Sequence, residues 1–199
     1  MVDVSSYADV ERAAADARKR APGLHILVNS AGITGPTVPV KDFPLDGWRS
    51  VIDVNLTGTF HCCRAVVPAM LEAGYGRIVN VASVAGKEGN PNASAYSASK
   101  AALNQLARVA ALEWGGDGIR VNVLHPNAVF DTGIWSDEVL AARAAHYGIS
   151  VEVYRRRNVL RTDVTSRDVA DLAAAMCGPL FGKTTGAQVP VDGGNERVV

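Results

Sequence analysis

The chain has 199 residues, with 20 Lys plus Arg against 20 Asp plus Glu and a formal net charge of zero, which fits one domain and leaves no basic face for a nucleic-acid backbone. Hydrophobic residues make up 48% and charged residues 20%, a balance that excludes a disordered or fibrous chain. No apolar run approaches the roughly 18 residues of a membrane span, and Met1-Val2-Asp3-Val4 lacks a basic stretch followed by an apolar one, so a cytoplasmic protein without membrane or nucleic-acid partners is expected.

Val2-Asp3-Val4 reads as the end of a strand, and Ser5 or Ser6 as the N-cap of a helix from about Tyr7 to Arg20, stopped by Pro22-Gly23. His25 to Val28 is a short apolar strand, turned by Asn29-Ser30-Ala31-Gly32. Asp46 is placed to cap a helix carrying Trp48, Val51 and Ile52. After Asn55 a second apolar stretch runs through Val66, Met70 and Leu71 to Gly74, giving a helical hairpin or a kinked helix. Cys62 and Cys63 are adjacent, and with Cys177 make an odd count that suits reduced thiols.

Arg77 to Ala82 reads as a strand buried on both faces and ended by Ser83, and Ser94 to Trp114 as a long helix with an Ala-rich apolar stripe, closed by Gly115-Gly116. Ile119 to Leu124 is another strand. From Asn127 to about Val159 the pattern loosens. A helix from about Ser166 to Met176 and a strand from Ala187 to Val191, ending in Asp192-Gly193-Gly194, complete the chain. Strands alternating with helices predict a single domain over 1–199, a three-layer α/β sandwich with a parallel sheet. Ligands sit beyond the carboxyl ends of such strands, so Asn29, Ser83 and the segment after Leu124 share one rim.

Tyr96 and Lys100, four apart, lie on one face of the long helix, where the ammonium can approach the phenol. That spacing recurs on ordinary surface helices. Ser83, 13 positions before Tyr96 and on the same rim, gives the pair a chemical context, although a serine there also caps turns. Asn55 reads either as a helix-kink residue or as part of the same site.

These residues make the chain resemble the short-chain dehydrogenase/reductase family. The matching tracts are Asn29-Ser30-Ala31-Gly32, Val54-Asn55, Ser83 after Ile78-Val79-Asn80-Val81, Tyr96-Ser97-Ala98-Ser99-Lys100, Ile119-Arg120-Val121-Asn122 and Asp192-Gly193-Gly194. The resemblance implies an NAD- or NADP-dependent oxidoreductase with a Rossmann-like fold and a homo-oligomeric assembly, acting on a small alcohol or carbonyl compound. It implies Tyr96 as general acid/base and Ser83 as hydrogen-bond donor to the reacting oxygen. Lys100 would assist Tyr96 and bind the nicotinamide ribose, and Asn55 would hold a water linking Lys100 to solvent. Cofactor contacts carried over are Asp3 and Val4 at the adenine, Asn29, Ala31 and Gly32 beside the adenosine ribose, Tyr96 and Lys100 at the nicotinamide ribose, and Pro126 and Val129 on the nicotinamide side. Asn127 stands where the family usually has Gly, which puts the shape of that loop in question.

The family begins with a strand, a Thr-Gly-x-x-x-Gly-x-Gly turn, a helix and a second strand, and none of these is read here. The expected fold therefore lacks the first two strands and the glycine turn that binds pyrophosphate, leaving His25 to Val28 as an apolar edge. Three readings compete: a truncated form of an active enzyme, a chain that pairs its open edge with another, or a catalytically silent remnant acting as an association module.

The segment from about 128 to 160 reads as a substrate lid. With Lys183-Thr184-Thr185-Gly186 and the C-terminal glycines it resembles the dehydrogenase half of bifunctional rhamnulose-phosphate aldolase/lactaldehyde dehydrogenases, which implies a sugar or hydroxyaldehyde substrate. Arg155-Arg156-Arg157 either holds an anionic group or forms a solvated face, and His125 either polarises a substrate or packs at a strand end. No His or Cys spacing suggests a metal site.

Overall fold

In a computed structural model of the chain, which describes residues 2–195, four parallel strands form one sheet in the order β1 (Ile26–Asn29), β2 (Gly76–Val81), β3 (Ile119–Pro126) and β4 (Gln188–Val191). Eight helices flank them: α1 (Tyr7–Arg20), α2 (Leu45–Ile52), α3 (Gly58–Ala73), α4 (Ala85–Glu88), α5 (Ser94–Trp114), α6 (Asp137–His146), α7 (Val151–Arg155) and α8 (Ser166–Cys177). Among the described residues no helix is long and apolar enough to cross a membrane.

Alternation along the strands builds the three layers. Ile78 of β2 with Ile119, Val121 and Val123 of β3 face α3 and α5, where Val67, Met70, Leu103 and Ala107 complete the larger core. Val79 and Leu124 point the other way and pack under Ala173, Met176 and Cys177 of α8. The three cysteines are free thiols, and burial pushes Cys63 up to about 12.

At β1 the alternation is left half covered. Leu27 packs against the α3/α5 core, but Ile26 and Val28 on the opposite face are 54% and 44% exposed, and among the described residues β1 is paired only with β2. The open apolar edge expected at this strand is present.

Two expectations near the N-terminus need correction. Val2-Asp3-Val4 is not a strand. The Asp3 side chain accepts from the Ser5 amide and hydroxyl at 2.9 and 2.7 Å and turns the chain into α1, whose N-cap is Ser6. Asp46 does not cap α2. The N-cap position is Pro44, and Asp46 lies in the first turn and pairs with Arg49 at 2.9 Å. The two helical stretches around Asn55 form one kinked rod, not a hairpin, because a single wide turn over Asp53–Thr57 joins α2 to α3 with right-handed helical geometry on both sides.

The tract read as a lid also holds more structure than its loose pattern suggested. Helices α6 and α7 are capped by Ser136 and Ser150 and gathered around Phe130, Leu140, Ala144 and Tyr154. Two ties anchor this small core: Val129 bridges Val164, and Asp131 accepts from the amide and hydroxyl of Ser166 at the start of α8.

Candidate active site

Backbone hydrogen bonds fix the rim at the carboxyl ends of β2 and β3. The Ala82 amide donates to Leu124 O at 2.8 Å and the Val84 amide to Pro126 O at 3.2 Å, so Ser83 is held where the two strands part. Buried His125 donates from Nδ1 to Ser83 O at 2.9 Å, fastening the serine's main chain to β3.

Across this rim lies the first turn of α5. The Ser83 side chain is hydrogen-bonded to the Tyr96 phenol and also accepts from the Ala85 amide at 3.2 Å. Burial pushes the Tyr96 pKa above its ordinary value, and the Ser83 bond pulls in the opposite direction. Lys100, one turn further on, is 4% exposed, donates from Nζ to Val81 O at 2.8 Å and sits 5.8 Å from the Tyr96 ring centroid. Burial brings its pKa down to about 8.

The lysine's position depends on close packing from α4. A Cβ on Gly86 would lie 2.6 Å from the Lys100 carbonyl carbon and 2.8 Å from the Ala101 nitrogen, so a hydrogen is required for the two backbones to meet.

Asn55 is fully buried in the wide turn between α2 and α3. Its amide clamps Ile33, accepting from the Ile33 N–H at 2.8 Å and donating to the Ile33 carbonyl at 2.9 Å, and it donates to Ser99 Oγ at 3.0 Å. Ser99 in turn donates to Tyr96 O at 2.8 Å. Asn55 therefore locks the 30–33 loop onto α5, and Gly32 lies between Asn55 and the ammonium: a Cβ there would be 3.3 Å from both Asn55 Oδ1 and Lys100 Nζ.

A cleft of about 1040 Å³ opens above this rim, with Ser83, Tyr96, Lys100, Gly32, Pro126 and Val129 in its wall. It continues to Ile26 and Val28 on the uncovered face of β1 and to α8. The other expected cofactor residues are placed elsewhere. Val4, Asn29 and Ala31 line a separate small void of about 10 Å³, with the Asn29 amide donating to Asn80 Oδ1 at 2.9 Å, and Asp3 is outside both linings. Asn127 has ordinary backbone geometry, and the left-handed residue of this loop is Ala128, at φ 53°.

The triple arginine is occupied by residues of its own tract. Arg155 pairs with Asp163 at 3.0 Å, Arg156 approaches Glu152 and Asp163, and Arg157 stacks 4.7 Å from both the Tyr147 and Tyr154 ring centroids. Sequence reasoning passed over Ser99, although it lies within the Tyr96 to Lys100 tract and three residues from Tyr96. Arg143 and Trp135 lie in the segment read as a lid, and both line the cleft.

A family model described as enoyl-(acyl carrier protein) reductase matches residues 1–196. The chain is 56% identical over 67% of its length to 2-dehydro-3-deoxy-L-rhamnonate dehydrogenase (NAD(+)) of Sphingomonas sp. (strain SKA58), and the match spans 53%, about half, of that relative. It is 36% identical over 97% of its length to an uncharacterized NAD-dependent oxidoreductase of Mycobacterium tuberculosis (strain CDC 1551 / Oshkosh), covering 70% of it. Among solved structures, NAD+-bound xylitol dehydrogenase superposes with a TM-score of 0.88 at 31% identity, over 97% of this chain and 77% of that one.

Proposed function

The chain belongs to the short-chain dehydrogenase/reductase family, and from that premise we propose that it is an NAD(P)-dependent oxidoreductase of a small secondary alcohol or its carbonyl counterpart. The observation that carries this reading is the contact of Ser83 with Tyr96, one helical turn from the buried Lys100, in the wall of one cleft.

The residues around Lys100 suit the nicotinamide half of the cofactor. Among the described residues the ammonium donates to one acceptor, Val81 O, and Gly32 has no side chain to fill the space beside it. When bound, the oxidised nicotinamide supplies the hydride acceptor. Tyr96 Oη takes the hydroxyl proton of the alcohol as its carbon loses hydride, and returns a proton in the reverse direction. Ser83 Oγ donates to the reacting oxygen and steadies its charge. Lys100 holds positive charge near the phenol and favours its ionised form. Asn55 acts by fixing the 30–33 loop against α5, and the expected water path to Lys100 is part of this reading. Pyrophosphate contacts of the glycine-turn kind are assigned to none of the described residues.

The substrate class we favour is a short deoxy-sugar derivative. The name of the 56% identical relative supports it, as does the resemblance of the lid and C-terminal glycines to lactaldehyde-handling enzymes. Exposed apolar side chains on β1, together with Leu112 at 86% exposure on α5, support a homo-oligomer. The same open edge supports the second reading, a silent association module.

Titrating the protein into NADH and NADPH separates the two. Saturable enhancement of nicotinamide fluorescence with either one is expected, and with NAD+ or NADP+ a hydroxyl-bearing carbon of a 2-oxo-3-deoxy sugar acid should give up hydride to the nicotinamide. Absence of saturation with both cofactors removes the enzyme reading for this chain.

A further inference from the structure

We propose that Arg143 of α6 forms an anion subsite in the cleft and takes the carboxylate of an acidic substrate. The inference rests on the oxidoreductase reading and adds to it a specificity-determining residue on the lid.

Four observations converge on Arg143. It lines the cleft together with Val139, its neighbour one turn earlier on α6, while Leu140 and Ala144 turn to the lid core. The helix therefore directs the Val139 and Arg143 face at the opening. Next, the cleft wall contains two cationic side chains, Lys100 and Arg143, and no Asp or Glu. An apolar wall with positive charge and no compensating carboxylate favours an anion over a neutral ligand of similar shape.

The guanidinium is also uncommitted. Val139, Leu140, His146 and Tyr147 occupy the positions three and four residues away, so α6 offers it no acidic partner there, and among the described residues it enters no ion pair or ring contact. Its lid neighbours Arg155, Arg156 and Arg157 are all engaged with carboxylates or tyrosines. Finally, Arg143 is exposed at the mouth of the cleft, whereas Lys100 is buried at its floor beside Tyr96. The two cations thus serve different groups, one near the reacting oxygen and one at a distance from it. A planar fork of donors suits a carboxylate, which it can bind through two parallel hydrogen bonds.

The test is calorimetric titration of 2-dehydro-3-deoxy-L-rhamnonate and of its uncharged primary amide into the protein and into Arg143→Ala and Arg143→Lys, with and without NAD+, alongside NADH titrations of each form. The acid should bind roughly tenfold or more tighter than the amide. Arg143→Ala should abolish that preference while leaving amide and NADH affinity unchanged, and Arg143→Lys should restore part of it. Equal binding of acid and amide, or no effect of Arg143→Ala, overturns the proposal even where hydride transfer to neutral carbonyl compounds persists. Loss of NADH affinity in Arg143→Ala, with the acid preference intact, overturns it in favour of a cofactor phosphate as the anion. Arg143-dependent acid binding in a chain that binds no NADH supports the subsite while removing the oxidoreductase reading.

Discussion

Lys100 provides a direct physical test of the site, because its burial links protonation to folding. In the folded chain burial brings its pKa from 10.5 to about 8, whereas the unfolded chain leaves it near the ordinary value. A depressed pKa means that between these values the unfolded state binds the proton and the folded state does not, so stability rises with pH across that window. The total is about 3 kcal/mol, and the part gained between pH 7 and pH 9.5 is about 2 kcal/mol. Isolating this contribution needs a reference that lacks only this group. Lys100→Met keeps the length and apolar stem and removes the charge. Urea unfolding of both proteins, without cofactor, at pH 7 and pH 9.5 should show the parent gaining about 2 kcal/mol on the variant, mostly as a shift in midpoint at constant slope. Two stability curves that stay parallel would refute the claim that a buried ammonium is held at this position.

Three further outcomes follow from the same geometry. Tyr96→Phe should lower kcat by about 10²–10⁴-fold while leaving the NADH dissociation constant within a factor of a few, and unchanged turnover in a steady-state assay removes Tyr96 from its role. Ser83→Ala should lower kcat by about 10²–10³-fold and, because the Ser83 bond opposes the upward push of burial on Tyr96, should move the alkaline rise of alcohol oxidation to higher pH; a pH profile with the same midpoint contradicts that bond. Gly86→Ala should destabilise the protein by about 1–3 kcal/mol, since the new Cβ meets the α5 backbone at Lys100, and a melting temperature equal to the parent's shows that α4 and α5 have slack between them.

Much of the frame was legible because periodicity and backbone chemistry agree. The α1 and α5 boundaries follow from Ser6 and from the Ala-rich stripe that Gly115 ends. Strands β2 and β3 are readable because both of their faces are buried, and a run such as Ile78-Val79 serves two cores at once. The internal structure of residues 128–160 was not legible. Its apolar residues, Phe130, Trp135 and Tyr154, converge from different local structures and follow no single period, and α6 and α7 are too short to show a stripe. Ser136-Asp137-Glu138 was nonetheless a usable signal, an N-cap followed by an acidic first turn. Within the site, the placing of Ser83, Tyr96 and Lys100 on one rim was readable from the strand end and the helical spacing, and a role for them only from the family resemblance. The clamp of Asn55 on Ile33 was not, since it depends on the extra residue in the turn over Asp53–Thr57 and on a loop 22 positions away.

The site divides between two kinds of support. Ser83 and Lys100 are held by main-chain atoms: Ser83 O accepts from His125, Lys100 Nζ donates to Val81 O, and the rim itself is closed by amides of residues 82 and 84. The amide bonds of the rim and the Val81 acceptor do not depend on side-chain identity, so changes elsewhere reach the reacting geometry chiefly through the His125 ring and the close approach at Gly86. The facing wall is built differently. Ile134, Trp135, Val139 and Arg143 are carried by segments that pack on a satellite core around Phe130 and Tyr154, apart from the two cores of the sheet. Substitutions on the cleft side of α6 can therefore alter what the cleft accepts without disturbing β2, β3 or the first turns of α5. In this chain that wall presents an apolar surface carrying one cation, opposite a Ser83 and Tyr96 pair whose geometry is set by the sheet.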